Sequence, residues 1–300
     1  MPRPLASLAS KTQCVPAGPV EDVDDLNRIT RLRAEPALQG GDVGVSAHLS
    51  DGRSIWMFGD TLRDKKFSGA GFVRNSMLLV EPDCLQVVLP ESGGAIIPDR
   101  DDGVGYWPMS VATLDKPGYA LVMVAAQRVR TTDSDDADTR RPMWGAAAVV
   151  SGEWLYLYGT AREPDPPLGT GFALDVARVA PDHVADPDRW TYWDGSGWNK
   201  RPGSSSALIP VTDGVSQTLS VFERDGRWYA YMPLAHPDIL EQPGSVIVSY
   251  SRNSTDSVRS CATRSCTGRS SSGSTSRFVN GAGACGRDVG RRPGSGCPGW

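Results

Sequence analysis

One pattern recurs four times along this 300-residue chain: an apolar run, a glycine-containing turn, then a second run rich in aromatics. The first copy is VGVSAHL-SDG-RSIWMFGD, within residues 40–61. The others are MSVATL-DKPG-YALVMVAAQ at 109–127, WGAAAVV-SG-EWLYLYGTA at 144–161 and LSVFE-RDG-RWYAYMPLA at 219–235. Apolar runs joined by such turns read as hairpins. A lone hairpin is marginal in water, so each copy needs further strands or neighbours. Three runs supply outer strands: Asn75–Glu81, Phe172–Val179 and Ser245–Arg252. The chain is therefore expected to be all-β. A sandwich explains the strands, but a β-propeller also explains why one hairpin is repeated.

Residues 39–256 are expected to form the propeller domain. Residues 1–38 read as a lead-in, with Asp22, Asp24 and Asp25 favouring a helix start within 20–33. After Asp256 the composition changes abruptly. Residues 257–300 hold seven Arg, one acid and no Leu or Ile. Such a stretch buries too little apolar surface to offset its ordering entropy. It reads as a disordered low-complexity tail, with the character of out-of-frame translation of a GC-rich gene.

Composition narrows the function classes. The net charge is −4, and the basic tail makes the body still more acidic, which argues against a nucleic-acid partner. No run approaches the ~18 apolar residues of a membrane span. The N-terminus lacks a clear signal peptide, so a cytoplasmic location and non-classical export to the cell wall both remain open. Cys14 and Cys84 are the only cysteines of the body, lie far apart and are expected to be separate thiols. His48, His183 and His236 are isolated, and no metal or nucleotide motif emerges. Asp186 and Asp188 lack calcium-loop spacing and read as turn residues, so no cofactor is expected and a structural Ca2+ is not indicated.

The chemistry-bearing residues lie at the open end of the first hairpin, where Asp42 follows Gly41 and Asp60 follows Gly59. A two-residue turn at Asp51-Gly52 would set Asp60 opposite Val43. A three-residue loop, Ser50-Asp51-Gly52 with Gly52 left-handed, would set it opposite Asp42. The second is preferred, and it puts the two Cβ atoms about 4.5–5.5 Å apart on one face. Unpaired carboxylates that close repel each other. The plain alternative is that both are strand-end turn residues.

Two neighbouring carboxyls with divergent proton affinities suit glycoside hydrolysis, which needs one acid and one nucleophile or base. Asp60, after the apolar run Ile55–Phe58, is expected to be the acid, and Asp42 the solvated anion. A direct cross-strand pair favours the short separation, about 5–5.5 Å, of retaining enzymes. Trp107 and Trp144, at the starts of inner strands, are expected as sugar-stacking residues ahead of Trp190, Trp193 and Trp198, for which packing is the plainer role. Glu163 and Glu223 are further carboxylates, Glu223 reading as a hairpin-end residue.

The element GGDVGVSAHLSDGRSIWMFGDT, followed by RNSMLLV, resembles the opening blade of a bacterial family once catalogued as a domain of unknown function. That family is linked to endo-D-arabinanases, which are five-bladed propeller glycoside hydrolases cutting mycobacterial arabinan. The Trp107-Pro108 strand start and the strands WLYLYGT and SVFERDGRWYAYM are also similar. The resemblance spans about Gly40 to Asp256 and implies a fifth blade that this chain's tail lacks or disrupts. It implies Asp42 and Asp60 as catalytic residues, Arg74, Asn75 and Trp107 as substrate-site neighbours, and the arabinan of arabinogalactan or lipoarabinomannan as substrate. The competing readings are a non-catalytic propeller that binds glycans or proteins, and an inactive fragment.

Overall fold

The structure, a computed structural model, describes residues 9–16, 18, 21–26, 36–130, 141–162, 171–212, 215–216, 219–231, 234–237, 239, 246–252, 275–280 and 287–288. Glu163 and the charged excursion at 131–140 lie outside them. The chain is all-β and divides into two units, Met1–Ser134 with Ile247–Asn280, and Asp135–Val246 with Gly281–Trp300.

In the first unit, β1 (Ala9–Lys11) and β2 (Val15–Pro16) precede an antiparallel run of β3 (Gly40–His48), β4 (Ser54–Leu62), β5 (Phe72–Val73), β6 (Ser76–Glu81) and β7 (Cys84–Pro90). The order in the sheet is β1-β7-β6-β4-β3, with β2 paired to β7 and β5 to β4. The middle strands are buried on both faces. Ile55, Trp56 and Met57 are consecutive core residues, as are Met77, Leu78 and Leu79. That is why these runs read as continuously apolar rather than alternating. A long hairpin, β8 (Val104–Lys116) with β9 (Tyr119–Arg130), follows, and β8 packs against β3 and β4.

The turn of the first hairpin is the three-residue loop. Leu49 N–H donates to Arg53 O at 2.8 Å, Gly52 N–H donates to Leu49 O at 3.0 Å, and Gly52 has φ 86°. Only glycine takes that left-handed position without steric cost. Beyond the loop, His48 pairs with Ser54, Ala47 with Ile55 and Ser46 with Trp56.

In the second unit, β10 (Met143–Ser151), β11 (Trp154–Ala161), β12 (Phe172–Val179), β13 (Thr191–Trp193) and β14 (Trp198–Asn199) lie side by side in sequence order. A further strand, β15 (Ile209–Thr212), pairs with β12. The hairpin of β16 (Ser220–Arg224) and β17 (Arg227–Tyr231) turns on Asp225 and Gly226, both at positive φ, and packs β16 on β10. Short β18 (Leu234–His236) follows. The core gathers Ala146, Ala147, Tyr158, Leu174, Val176, Val215, Leu219 and Val221. The guanidinium of Arg178 lies 4.1 Å from the ring centres of both Trp154 and Trp198.

All four expected hairpins are present. The outer strands over 75–81 and 172–179 become β6 and β12, paired with their own hairpins. The third differs. β19 (Ile247–Arg252) takes as partner β20 (Thr275–Asn280), and β17 takes β21 (Arg287–Asp288). Both partners come from the stretch expected to lack order. Ladder bonds are made by backbone groups, so a composition poor in Leu and Ile does not forbid pairing.

The lead-in contains the helix start expected within 20–33. Residues 23–26 are helical, with Asp22 capping the N–H of Asp25 at 2.9 Å. The pairing of Pro16 with Cys84 brings Cys14 to β7, and Cys14 and Cys84 form a disulfide with Cα atoms 5.4 Å apart. The two thiols expected to be separate are therefore joined. Sequence spacing could not show this, because β2 is only two residues long. The bridge closes a span of 70 residues. Replacing Cys14 by Ser should lower stability by about 2–4 kcal/mol, read as an earlier urea midpoint with unchanged wild-type behaviour under reductant-free conditions.

Candidate active site

The open end of the first hairpin is irregular, and the irregularity assembles the site. Gly41 pairs with Thr61, but the next pairs are Val43 with Phe58 and Val45 with Met57. Asp42 thus stands against Gly59 and Asp60 together, an extra residue on β4, and Gly44 is the compensating extra residue on β3. The correction demands unusual backbone: Val43 has φ 64° and Gly44 φ 75°. A β-branched residue at positive φ is strained, and such strain gathers at functional sites.

The bulges bring Asp42 and Asp60 together, though not as the regular cross-strand pair expected. The Asp42 carboxyl lies over the Cα of Gly59, where an added Cβ would come within 2.2 Å of Oδ1. Oδ1 is buried and has no hydrogen-bond partner. Burial, and then the charge of Asp60, push the Asp42 carboxyl up from 3.8 to about 6, against the opposing pull of the Asp60 and Asp42 backbone N–H groups. Asp42, expected to be the solvated anion, is thus the group whose proton affinity burial raises. Apolar neighbours in sequence did not decide it. The bulge turned Asp42 inward over a glycine.

Asp60 meets a different neighbour. The indole Nε1–H of Trp107, from β8, donates to its Oδ1 at 2.8 Å. Trp107 therefore belongs to the carboxylate site, but through its N–H rather than as a free stacking face. Thr61, fully buried, donates to Gly59 O or shares its hydroxyl with Ser76, each at 2.8 Å, and so braces the strand beneath the pair.

Asn75 is fully buried, and its amide is occupied by backbone. Nδ2 donates to Ile97 O at 2.9 Å and Tyr106 O at 3.0 Å, while Oδ1 accepts from Ile97 N–H at 2.7 Å. Its expected contact with substrate gives way to a structural clamp. Arg74 lies across Gly105 and pairs with Asp99, a partner that sequence spacing did not suggest. Gly105 and Trp107 share one face of β8, so Arg74 flanks the same row of residues.

Trp144 lies in the second unit. Its ring covers Gly159 and tilts against Tyr192, with centroids 5.4 Å apart. The three tryptophans expected to pack have partners: Trp190 donates to Val184 O at 3.1 Å, and Trp193 meets Trp198 edge-on at 5.7 Å. Glu223 accepts from Ser151 Oγ at 2.6 Å at the hairpin end. Asp186 and Asp188 lie in a 3-10 turn, where Asp186 caps the N–H of Asp188. Among the described residues, no three His, Cys, Asp or Glu side chains lie close enough to hold a metal ion. No helix among them is long and apolar enough to cross a membrane.

A family described as "Domain of unknown function (DUF5005)" matches residues 99–236. That span contains Trp107 but not Asp42 or Asp60. No curated protein matches the chain. Among solved structures, the chain is similar to the crystal structure of a "putative hydrolase" from Bacteroides ovatus ATCC 8483. The TM-score is 0.55 at 14% identity, covering 86% of this chain and 91% of that one. At that identity the likeness is one of fold.

The site itself carries a stability test. At pH 7 the Asp42 carboxyl is ionised where the fold favours its neutral form. Its raised value makes the folded state bind the proton more tightly, so stability falls as pH rises from about 3.8 to about 6. Asp42→Asn should therefore raise stability at pH 7 by roughly 1 kcal/mol after allowing for solvent screening, seen as a higher melting temperature. The gain should disappear near pH 4, as differential scanning calorimetry across that range would show.

Proposed function

We propose that the protein is a glycoside hydrolase in which Asp42 is the general acid and Asp60 the charged partner, nucleophile or base. The observation that carries this is the unlike setting of two adjoining carboxyls. Asp42 is desolvated over Gly59 and held near pH 6, while Asp60 accepts the Trp107 indole N–H. Glycosidic cleavage needs this asymmetry: one group must deliver a proton to the leaving oxygen while the other remains negative. The expected preference for retention rested on direct cross-strand pairing, which the bulge removes, and it is not carried forward.

The proposed fold is the five-bladed propeller of the endo-D-arabinanase-like family, and the proposed substrate is a furanose polysaccharide such as mycobacterial D-arabinan. The motif likeness over Gly40–Asp256 supports this, and a fold shared with a protein described as a hydrolase agrees with it. The Cys14–Cys84 disulfide fits work outside the cytoplasm, where a wall polysaccharide would be met.

Incubation with arabinan should release oligosaccharides, and both Asp42→Asn and Asp60→Asn should lower kcat by at least about a thousandfold with unchanged circular dichroism. Wild-type-like cleavage by either variant would remove the assignment. Because Asp42 must be protonated to act, kcat/KM should fall as pH rises through about 6, losing about tenfold per unit beyond it. A rate that instead climbs steadily from pH 5 to 8 would exclude Asp42 as the acid. A shift of Gly59 to Ala should also abolish cleavage, since the new methyl would occupy the place of the Asp42 carboxyl.

A further inference from the structure

We infer that Trp107 is a positioning residue, holding the Asp60 carboxylate through its indole N–H, and that Asn75 sets Trp107 in place by clamping the preceding residue. This rests on the glycosidase reading of the same site. It replaces the sugar-stacking role that the position of Trp107 at a strand start suggested.

The chain of contacts is continuous. Asn75 is fully buried, and its amide joins Ile97 to Tyr106 by three backbone hydrogen bonds of 2.7–3.0 Å. Tyr106 immediately precedes Trp107. Pro108, fully buried, immediately follows it, and the register of β8 on β9 shifts between Pro108 and Ser110. Proline fixes φ and gives no N–H, which is why it sits where the ladder breaks. The Trp107 backbone is thus fixed on one side by an amide clamp and on the other by a proline-linked bulge. Bulges of this kind re-aim side chains beside active sites.

The aimed group is a donor only. An indole N–H can satisfy a carboxylate oxygen but can neither accept nor carry away a proton. It therefore occupies Oδ1 of Asp60 and leaves Oδ2 for the sugar, so that one of two equivalent oxygens is selected. It also supplies a charge-assisted bond to the member of the pair that must stay negative. Burying Asn75 for this purpose is costly unless every polar atom is met, and here the amide has its partners.

The test separates positioning from stacking. Trp107→Phe keeps an aromatic face, though a smaller one, and removes the N–H. Positioning predicts that kcat on arabinan falls about tenfold to a hundredfold, the worth of a hydrogen bond to a charged group, with KM within about twofold. A raised KM with unchanged kcat would overturn the inference in favour of a sugar platform. An activity-independent measurement accompanies it: the Trp107 indole N–H resonance in the 15N-labelled protein, assigned by its loss in Trp107→Phe. The resonance should move in Asp60→Ala, and a resonance that stays in place would overturn the contact. If the wild-type protein releases no sugar, the glycosidase reading fails by itself, and the indole resonance still decides whether Trp107 holds Asp60.

Discussion

The chemistry proposed for the first unit depends on a steric vacancy at Gly59. A carboxyl group occupies the space where any other residue would place its Cβ, with Oδ1 within 2.2 Å of that position. Everything unusual about Asp42 follows from this. The carboxyl is turned from solvent, loses a hydrogen-bond partner on one oxygen, and meets the charge of Asp60. Two compensating bulges make the vacancy usable without disturbing the rest of the sheet. From Val45 to the turn, the pairing follows the same register as Gly41 with Thr61. The irregularity therefore stays local, while the buried strands on either side keep their continuous packing.

Much of this end of the molecule was legible in the sequence. Asp51-Gly52 between apolar runs announced the hairpin, and the left-handed preference of Gly52 chose the three-residue loop. The loop in turn placed Asp42 near Asp60. What could not be read was the orientation of each carboxyl. Sequence neighbours drew attention to Asp60 after Ile55–Phe58, yet it is Asp42 that the bulge sets over Gly59, and bulges have no side-chain signature beyond glycine. Gly44 and Gly59 were visible, but their meaning depends on three-dimensional proximity.

The same distinction explains the other differences. Asn75 was noticed through its motif, but its amide turned out to bind backbone rather than lie open, because a buried amide is satisfied first by whatever strand passes it. The Cys14–Cys84 bridge depends on a two-residue strand that no periodicity could reveal. The strands Thr275–Asn280 and Arg287–Asp288 show that backbone pairing needs little from composition. Local turn chemistry is written in the chain. Long-range partnership emerges only when the strands are assembled.

The site also places strain and electrostatic cost side by side. Val43 is held at φ 64°, and the adjacent Asp42 carries a charge that its surroundings disfavour at neutral pH. Neither would survive in a position free to relax, so the surrounding sheet must over-determine both. Thr61 and Ser76 brace β4 from below, and β8 covers it from the side with the indole of Trp107. The apolar strands supply the stability, and the bulged end draws on it to hold the Asp42 carboxyl over Gly59 beside Asp60. A chain selected for stability alone would have a regular register here, with Val43 at negative φ and a solvated side chain at position 42. The departure from that arrangement, where the Asp42 and Asp60 carboxyls interact, is the physical reason to propose this end of the hairpin as a reacting centre rather than a turn.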